Sequence, residues 1–343
     1  MKRINKKTIG MTIVAILIVA IGILAYRYDQ PMKIEPDPNW ESTIASLDVT
    51  RERFFIQSGD VKLEAELLIP VGGREKKPAV IFAGGSGQWI YQAYAEDLIE
   101  EYVLGVFLPR DMAVLLINKR GLGESEGNWM HNDLQGHADD IYAAVQRLQN
   151  HPVIDPAHIG LLGHSQGGWI VMLATAQHDD VAFFISLAGP TTTVLEQIEA
   201  DAGNNLRCQG YEGDALNNKL KRDLQADRIG ATLGKIIPIG EIRFMSGIID
   251  SDPREALLTV NVPGMLVYGG LDPQVPADQN LARFNEIFNG SPPDHLETFV
   301  VADAQHVFRA VDSMCTMYED YLSGPLSTEL VDELQNWLTE QGY

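Results

Sequence analysis

Gly163-His164-Ser165-Gln166-Gly167 sets a serine between two glycines, directly after the apolar run Ile159-Gly160-Leu161-Leu162 and before a helix-like segment, Trp169 to Gln177. In a strand–turn–helix setting such a serine is placed to be a nucleophile. The sharp turn lifts its hydroxyl above the sheet and aims the next helix N-terminus at it. The turn holds its central residue in a strained conformation, and a side chain at either glycine would collide with the neighbouring strand or helix. A serine hydroxyl alone is a weak nucleophile. It needs a base within hydrogen-bond reach, a carboxylate to orient that base, and N–H donors for the developing oxyanion. The five residues also fit a plain Gly/Ser loop, so those partners decide what they mean.

Each partner should stand at the C-terminal end of a strand, because those ends share one edge, in the order serine, acid, histidine. Beyond Ser165 the acids include Asp250, Asp252, Asp272, Asp278 and Asp303. Only Asp272 directly follows a fully apolar run, in Val267-Tyr268-Gly269-Gly270-Leu271-Asp272-Pro273-Gln274-Val275-Pro276, where the prolines stiffen the loop beyond. After it come His295 and His306. His295 precedes the last strand, at its wrong end, whereas His306 follows Val301 after four residues and can reach over the edge. The expected triad is therefore Ser165, Asp272 and His306. His164 adjoins the serine, but adjacent side chains diverge at such a turn, so it reads as support or packing. One oxyanion donor is the backbone N–H of Gln166 at the helix start. The second comes from the loop Gly84-Gly85-Ser86-Gly87, with Ser86 favoured and Gly85 as a one-residue slip.

The elements that must hold these groups are legible as patterns. Val61, Leu63, Ala65 and Leu67 alternate with Lys62, Glu64 and Glu66, the period of a half-buried antiparallel strand, and a Ser58-Gly59-Asp60 turn joins it to the strand before. Residues 79–83, 112–117, 159–162, 183–188, 265–268 and 298–301 are apolar runs, as strands buried on both faces are. Helical patterns over 134–149, 166–177, 277–288 and 327–341 separate them, that over 166–177 small and apolar and the last with a start signal at Ser327-Thr328-Glu329. The alternation implies an α/β class, a mostly parallel sheet with helices on both faces. Residues 190 to about 258 break it with a helical insertion where a lid over a cleft would sit.

Taken together and in order, Gly84-Gly85-Ser86-Gly87, Asn118-Lys119-Arg120-Gly121-Leu122-Gly123-Glu124-Ser125, Gly163-His164-Ser165-Gln166-Gly167, Gly270-Leu271-Asp272-Pro273-Gln274-Val275-Pro276 and Gln305-His306 carry a resemblance. From about residue 50 to the end the chain resembles the α/β-hydrolase superfamily. It is most similar to bacterial serine esterases of the dienelactone-hydrolase and prolyl-oligopeptidase-like branch. The resemblance implies an α/β-hydrolase fold and ester hydrolysis through an acyl-enzyme, without a cofactor, on a small-molecule ester. Thioester or peptide cleavage with the same triad is the alternative, and a non-catalytic binding protein is another. Two departures stand out: many relatives have His-Gly where this chain has Gly84-Gly85, and many have Asp where Asn118 stands.

Global composition narrows the field. The 343 residues are 45% hydrophobic, enough for one large α/β domain or two small ones, and a net charge of −21 repels nucleic acid. Cys208 and Cys315 lack C-x-x-C spacing, so neither zinc nor a dense disulfide framework is indicated, though an oxidising compartment would permit one bridge. Gly121-Leu-Gly-Glu-Ser-Glu126-Gly127 follows a strand, but its third glycine is one residue late and Glu126 would repel pyrophosphate. The start is basic over residues 1–8, and 9–26 carries no charge. That pattern predicts a transmembrane anchor with its basic flank cytoplasmic and all that follows on the outer face. The alternative is a cleaved signal peptide, for which Ile23-Leu24-Ala25 is a poor cleavage site. Residues 27–45, with Pro31, Pro36 and Pro38, read as a tether to a hydrolase domain over 46–343.

Overall fold

The apolar runs pair into one eight-stranded sheet. The computed structural model describes residues 33–94, 98–316 and 324–343, together with Gly22. In chain order the strands are β1 (Val49–Ser58), β2 (Val61–Pro70), β3 (Lys77–Ala83), β4 (Ala113–Ile117), β5 (Ile154–His164), β6 (Phe184–Leu187), β7 (Gly264–Gly269) and β8 (Leu296–Val301). Their spatial order is β1-β2-β4-β3-β5-β6-β7-β8. β1 and β2 turn about Gly59 and run antiparallel, and β2 meets β4 antiparallel. From β4 to β8 every pairing is parallel, so the C-terminal ends of β3, β5, β7 and β8 reach the same edge.

Helices cover both faces, and the pleat divides each strand between them. α1 (Trp40–Ser46), α2 (Leu134–Gln149) and α3 (Gln166–Gln177) come before the insertion. Alternate residues of β3 serve different cores. Ala79 and Ile81 pack with Ala138, Ile141 and Val145 of α2 and Ile170 and Val171 of α3. Val80 and Phe82 join the opposite core with α1 and with Tyr102, Val103 and Phe107 from the helical turns that end at Arg110.

α1 departs from the sequence reading. Residues 27–45 read as a tether, yet Trp40 and Ile44 are each 3% exposed within this second core. Two apolar residues one turn apart, in a proline-rich stretch, are too short a stripe to show as a helix. The apolar stretch 9–26 lies outside the described residues, Gly22 excepted, and no helix among the described residues is long and apolar enough to cross a membrane.

Between β6 and β7 the chain is helical: α4 (Val194–Cys208), α5 (Gly213–Gly234), α6 (Gly240–Ile248) and α7 (Arg254–Thr259). α4 starts on a capping box, in which Thr193 accepts from the Glu196 N–H and Glu196 accepts from the Thr193 N–H. It ends at Cys208, which is disulfide-bonded to Cys315 in the loop after β8. Sheet strands β7 and β8 are followed by α8 (Ala277–Ile287) and α9 (Thr328–Glu340) respectively; α9 is capped by Ser327, and its Leu330, Leu334 and Leu338 enter the second core.

The bridge closes a span of 107 residues, so it removes substantial freedom from the unfolded chain. Replacing both cysteines by serine should lower the unfolding free energy by about 2–5 kcal/mol. Urea titration with matched slopes measures this, and an unchanged midpoint would mean that the bridge adds nothing to stability.

Candidate active site

The turn after β5 has the strain that its glycines suggest. Ser165 stands at φ 56° and ψ −122°, as N-cap of α3. A Cβ on Gly163 would lie 2.1 Å from the Gly167 carbonyl oxygen, and one on Gly167 would lie 2.0 Å from that of Ala83. Only glycine fits at either place, which is why strand and helix can meet so closely here. From Ile159 to Met172 every residue is buried except Ser165, which is partly open. A non-glycine residue at positive φ is costly, and such strain is typical of a functional position. Among the described residues the Ser165 hydroxyl has no hydrogen-bond partner. Serine–base bonds in unliganded sites are commonly long and tighten with substrate.

Asp272 and His306 meet. Oδ2 of Asp272 accepts from Nδ1–H of His306 at 2.7 Å, and Oδ1 accepts the N–H groups of Gln274 and Val275 at 2.8 and 3.0 Å. The loop after β7 thus wraps around its own carboxylate, leaving one oxygen for the histidine. Both residues are buried. Because Nδ1 carries the proton, Nε2 holds the lone pair, the tautomer a general base requires. Burial pushes the His306 pKa down, but the adjacent Asp272 carboxylate outweighs it, and the net shift is upward.

His306 rides on a stiff loop. Ala304 pairs with Ala310, the Gln305 N–H donates to the Arg309 carbonyl, and the Phe308 N–H donates to the Gln305 carbonyl. The buried Tyr102 hydroxyl donates to the Phe308 carbonyl at 2.7 Å and accepts the Ser327 N–H at 2.8 Å, tying this loop to the start of α9.

His164 has a defined task that its sequence position did not reveal. Its Nε2–H donates to the backbone carbonyl of His306 at 2.8 Å, leaving Nδ1 to accept from the Tyr94 hydroxyl at 2.8 Å. Tyr94 in turn accepts the Gly85 N–H. One buried chain of hydrogen bonds thus runs from the loop after β3 to the loop that carries His306. Burial, reinforced by the nearby His306, lowers the His164 pKa to about 3, so the ring stays neutral.

The same chain separates the two oxyanion candidates in the loop after β3. Gly85 is packed against Ser165, with a Cβ on it falling 3.1 Å from the Ser165 Cβ, but its N–H is held by Tyr94. The Ser86 N–H has no partner among the described residues. The Gln166 N–H, at the first position of α3, has no intrahelical acceptor. Among the described residues the Ser86 and Gln166 N–H groups are thus without a backbone acceptor, whereas that of Gly85 is taken.

The other titratable candidates lie elsewhere. Asp252 pairs with Arg283 at 3.0 Å, Asp250 with Lys235 at 3.4 Å, and Asp278 accepts from the Gln279 N–H. His295 bonds the Val260 carbonyl at the opposite end of β8. Asn118 is held from both ends: Oδ1 accepts the Tyr91 N–H, and Nδ2 donates to Glu64 and Gln92. An aspartate could not donate those two bonds, which accounts for the amide here.

α4 lies over the acid loop. Gln197 donates to the Gln274 carbonyl, Asn204 to the Pro273 carbonyl at 2.8 Å, and Cys208 bonds Cys315. Asp201 belongs to the same stripe and faces the histidine–aspartate pair. Burial raises its pKa, and its charge helps raise that of His306. The spacing 197, 201, 204, 208 was readable as one helix face, but nothing in the sequence says what that face meets. Among the described residues no group of three His, Cys, Asp or Glu side chains could hold a metal ion.

Comparison with known proteins bears on the fold. The prolyl oligopeptidase family matches residues 101–220. Protein bem46 of Schizosaccharomyces pombe is 24% identical over 199 residues, 55% of this chain and 62% of that protein. Thiohydrolase aneE of Aspergillus aculeatus is 29% identical over 134 residues, 39% of each. The chain thus spans less than two thirds of either relative. The Pyrococcus furiosus esterase Pf2001 superposes with a TM-score of 0.58 at 16% identity, over 91% of this chain and 97% of that one. The chain has the α/β-hydrolase fold, with its eight-stranded, mostly parallel sheet.

Proposed function

We propose that the chain is a serine hydrolase that cleaves carboxylic esters through an acyl-enzyme. The observation that carries this reading is the 2.7 Å bond between His306 and Asp272, which joins two separate strand ends on the edge where Ser165 stands. Ser165 Oγ attacks the ester carbonyl carbon while His306 Nε2 takes its proton. The N–H groups of Gln166 and Ser86 stabilise the oxyanion. The C–O bond to the alcohol breaks, and His306 returns the proton to the leaving oxygen. Water then attacks the acyl-enzyme by the same route in reverse, and Asp272 holds the imidazole in its working tautomer throughout. No cofactor enters the scheme.

Thioesters and peptides are open to the same machinery, and the matches to the prolyl oligopeptidase family and to a thiohydrolase favour testing them. A soluble form starting near Met32, assayed on p-nitrophenyl esters of increasing acyl length, on thioesters and on aminoacyl amides, tests the ester reading. Esters should be turned over fastest. Faster turnover of a thioester or amide would move the assignment to that class.

The proposal extends to location. Residues 9–26 would anchor the domain on the outer face of a membrane, and a small-molecule ester would reach it there. The Cys208–Cys315 bridge supports this, because such bonds persist in oxidising compartments. The full-length chain should sediment with membranes, resist alkaline washing, and lose its domain to external protease. A freely soluble full-length product would contradict the anchor, and a product cut near Tyr26 would point to a cleaved signal.

A further inference from the structure

Lys119 follows β4 at its C-terminal end, and its side chain crosses beneath the loop after β3. Its Nζ donates to the carbonyl oxygens of Gly85 and, at 3.2 Å, of Gly87, and stands 5.9 Å from the centre of the Trp129 ring. The Gly85 carbonyl and the Ser86 N–H are the two ends of one planar trans peptide unit, so they point in opposite directions. A cation gripping that oxygen therefore sets where the Ser86 N–H points. It also draws electron density toward the oxygen, which makes the N–H a stronger donor. At the preceding peptide the Gly85 N–H is held by Tyr94, so the unit is clamped on both sides.

We propose that Lys119 is a positioning residue that orients and polarises the Gly85–Ser86 peptide, and so sets the strength of the second oxyanion donor. The inference rests on the reading of Ser165 as a nucleophile whose oxyanion meets the N–H groups of Ser86 and Gln166. It gives a task to the lysine of Asn118-Lys119-Arg120-Gly121, which the triad leaves without one.

Charge is part of the device. Burial lowers the Lys119 pKa to about 7, so the ammonium is present below that pH and is lost above it. The charged groups facing it are already engaged with other partners, and the histidine among them is neutral. His137 of α2 is buried and neutral, its pKa brought down to about 3 by burial and then by Lys119 itself. Asp140 of α2 is paired with Arg120, and Glu64 of β2 is engaged by Asn118 and the Glu124 N–H. Trp129 contributes only its ring face.

Lys119→Met and Lys119→Arg test this on the p-nitrophenyl ester turned over fastest, with kcat and KM measured from about pH 5 to about pH 9. Removal of a direct oxyanion donor lowers kcat by ~10²–10³, so loss of a group acting through one should lower it about tenfold, with KM changed less than about twofold. The decline of kcat above about pH 7 should vanish in Lys119→Met. In Lys119→Arg most of kcat should return, and the decline should move out of range, because a guanidinium stays charged. An unchanged kcat in Lys119→Met would overturn the proposal. So would a wild-type alkaline decline in Lys119→Arg, which decides the matter should the methionine variant fail to fold. Turnover that survives Ser165→Ala would remove the nucleophile reading and this inference with it. Turnover that needs Ser165 but ignores Lys119 would overturn the inference alone.

Discussion

Ser165→Ala should lower kcat/KM for ester hydrolysis by at least about 10⁴-fold while leaving the fold intact. The size of the loss follows from the chemistry: with no hydroxyl there is no acyl-enzyme, and only the oxyanion donors and substrate binding remain to help water attack. The preserved fold follows from the structure. Ser165 Oγ supports no hydrogen bond among the described residues, and alanine meets the same backbone strain at φ 56°. The unfolding midpoint should therefore stay near that of the parent. A loss of activity accompanied by a large drop in stability would point to damage rather than to a missing nucleophile.

Asp272→Asn should lower kcat by roughly 10⁴-fold through the tautomer of His306. In the native site Oδ1 of Asp272 is committed to the Gln274 and Val275 N–H groups, so only Oδ2 faces Nδ1. An asparagine would keep its carbonyl on those two donors and turn its NH₂ toward His306. Nδ1 would then have to accept, which puts the proton on Nε2, where the lone pair is needed. The volume of the side chain hardly changes, so KM should move little while kcat collapses. A reduction of less than about tenfold would mean that Asp272 is not the orienting acid.

Strands buried on both faces leave uninterrupted apolar runs, so β3, β5 and β7 stand out, and Ser165 and Asp272 were visible as polar residues just past such runs; His306 was visible past the short run 298–301 of β8, which lies at the sheet edge and is buried only in part. α2 was visible at its observed limits because its apolar stripe is long and regular, and α3 because it is small and apolar throughout. α1 was not, because its burial rests on Trp40 and Ile44 alone. The Tyr94–His164–His306 link was not either. It joins the end of β5 to two separate loops, and its geometry exists only once the sheet has brought them to one edge. Ser86 was already favoured over Gly85 in the sequence, but the Tyr94 hydroxyl that occupies the Gly85 N–H was not visible there, for the same reason. Pairing of Cys208 with Cys315 depended on α4 lying across the loop after β8, a tertiary contact with no local pattern.

The central claim is that Ser165 is the nucleophile of a working Asp272–His306–Ser165 system. Incubation of the protein with a fluorophosphonate, followed by peptide mapping by mass spectrometry, tests it most directly. A single stoichiometric adduct should form on Ser165, in step with loss of ester turnover, and be absent from Ser165→Ala. An adduct on another residue, or turnover that persists once Ser165 is fully modified, would contradict it.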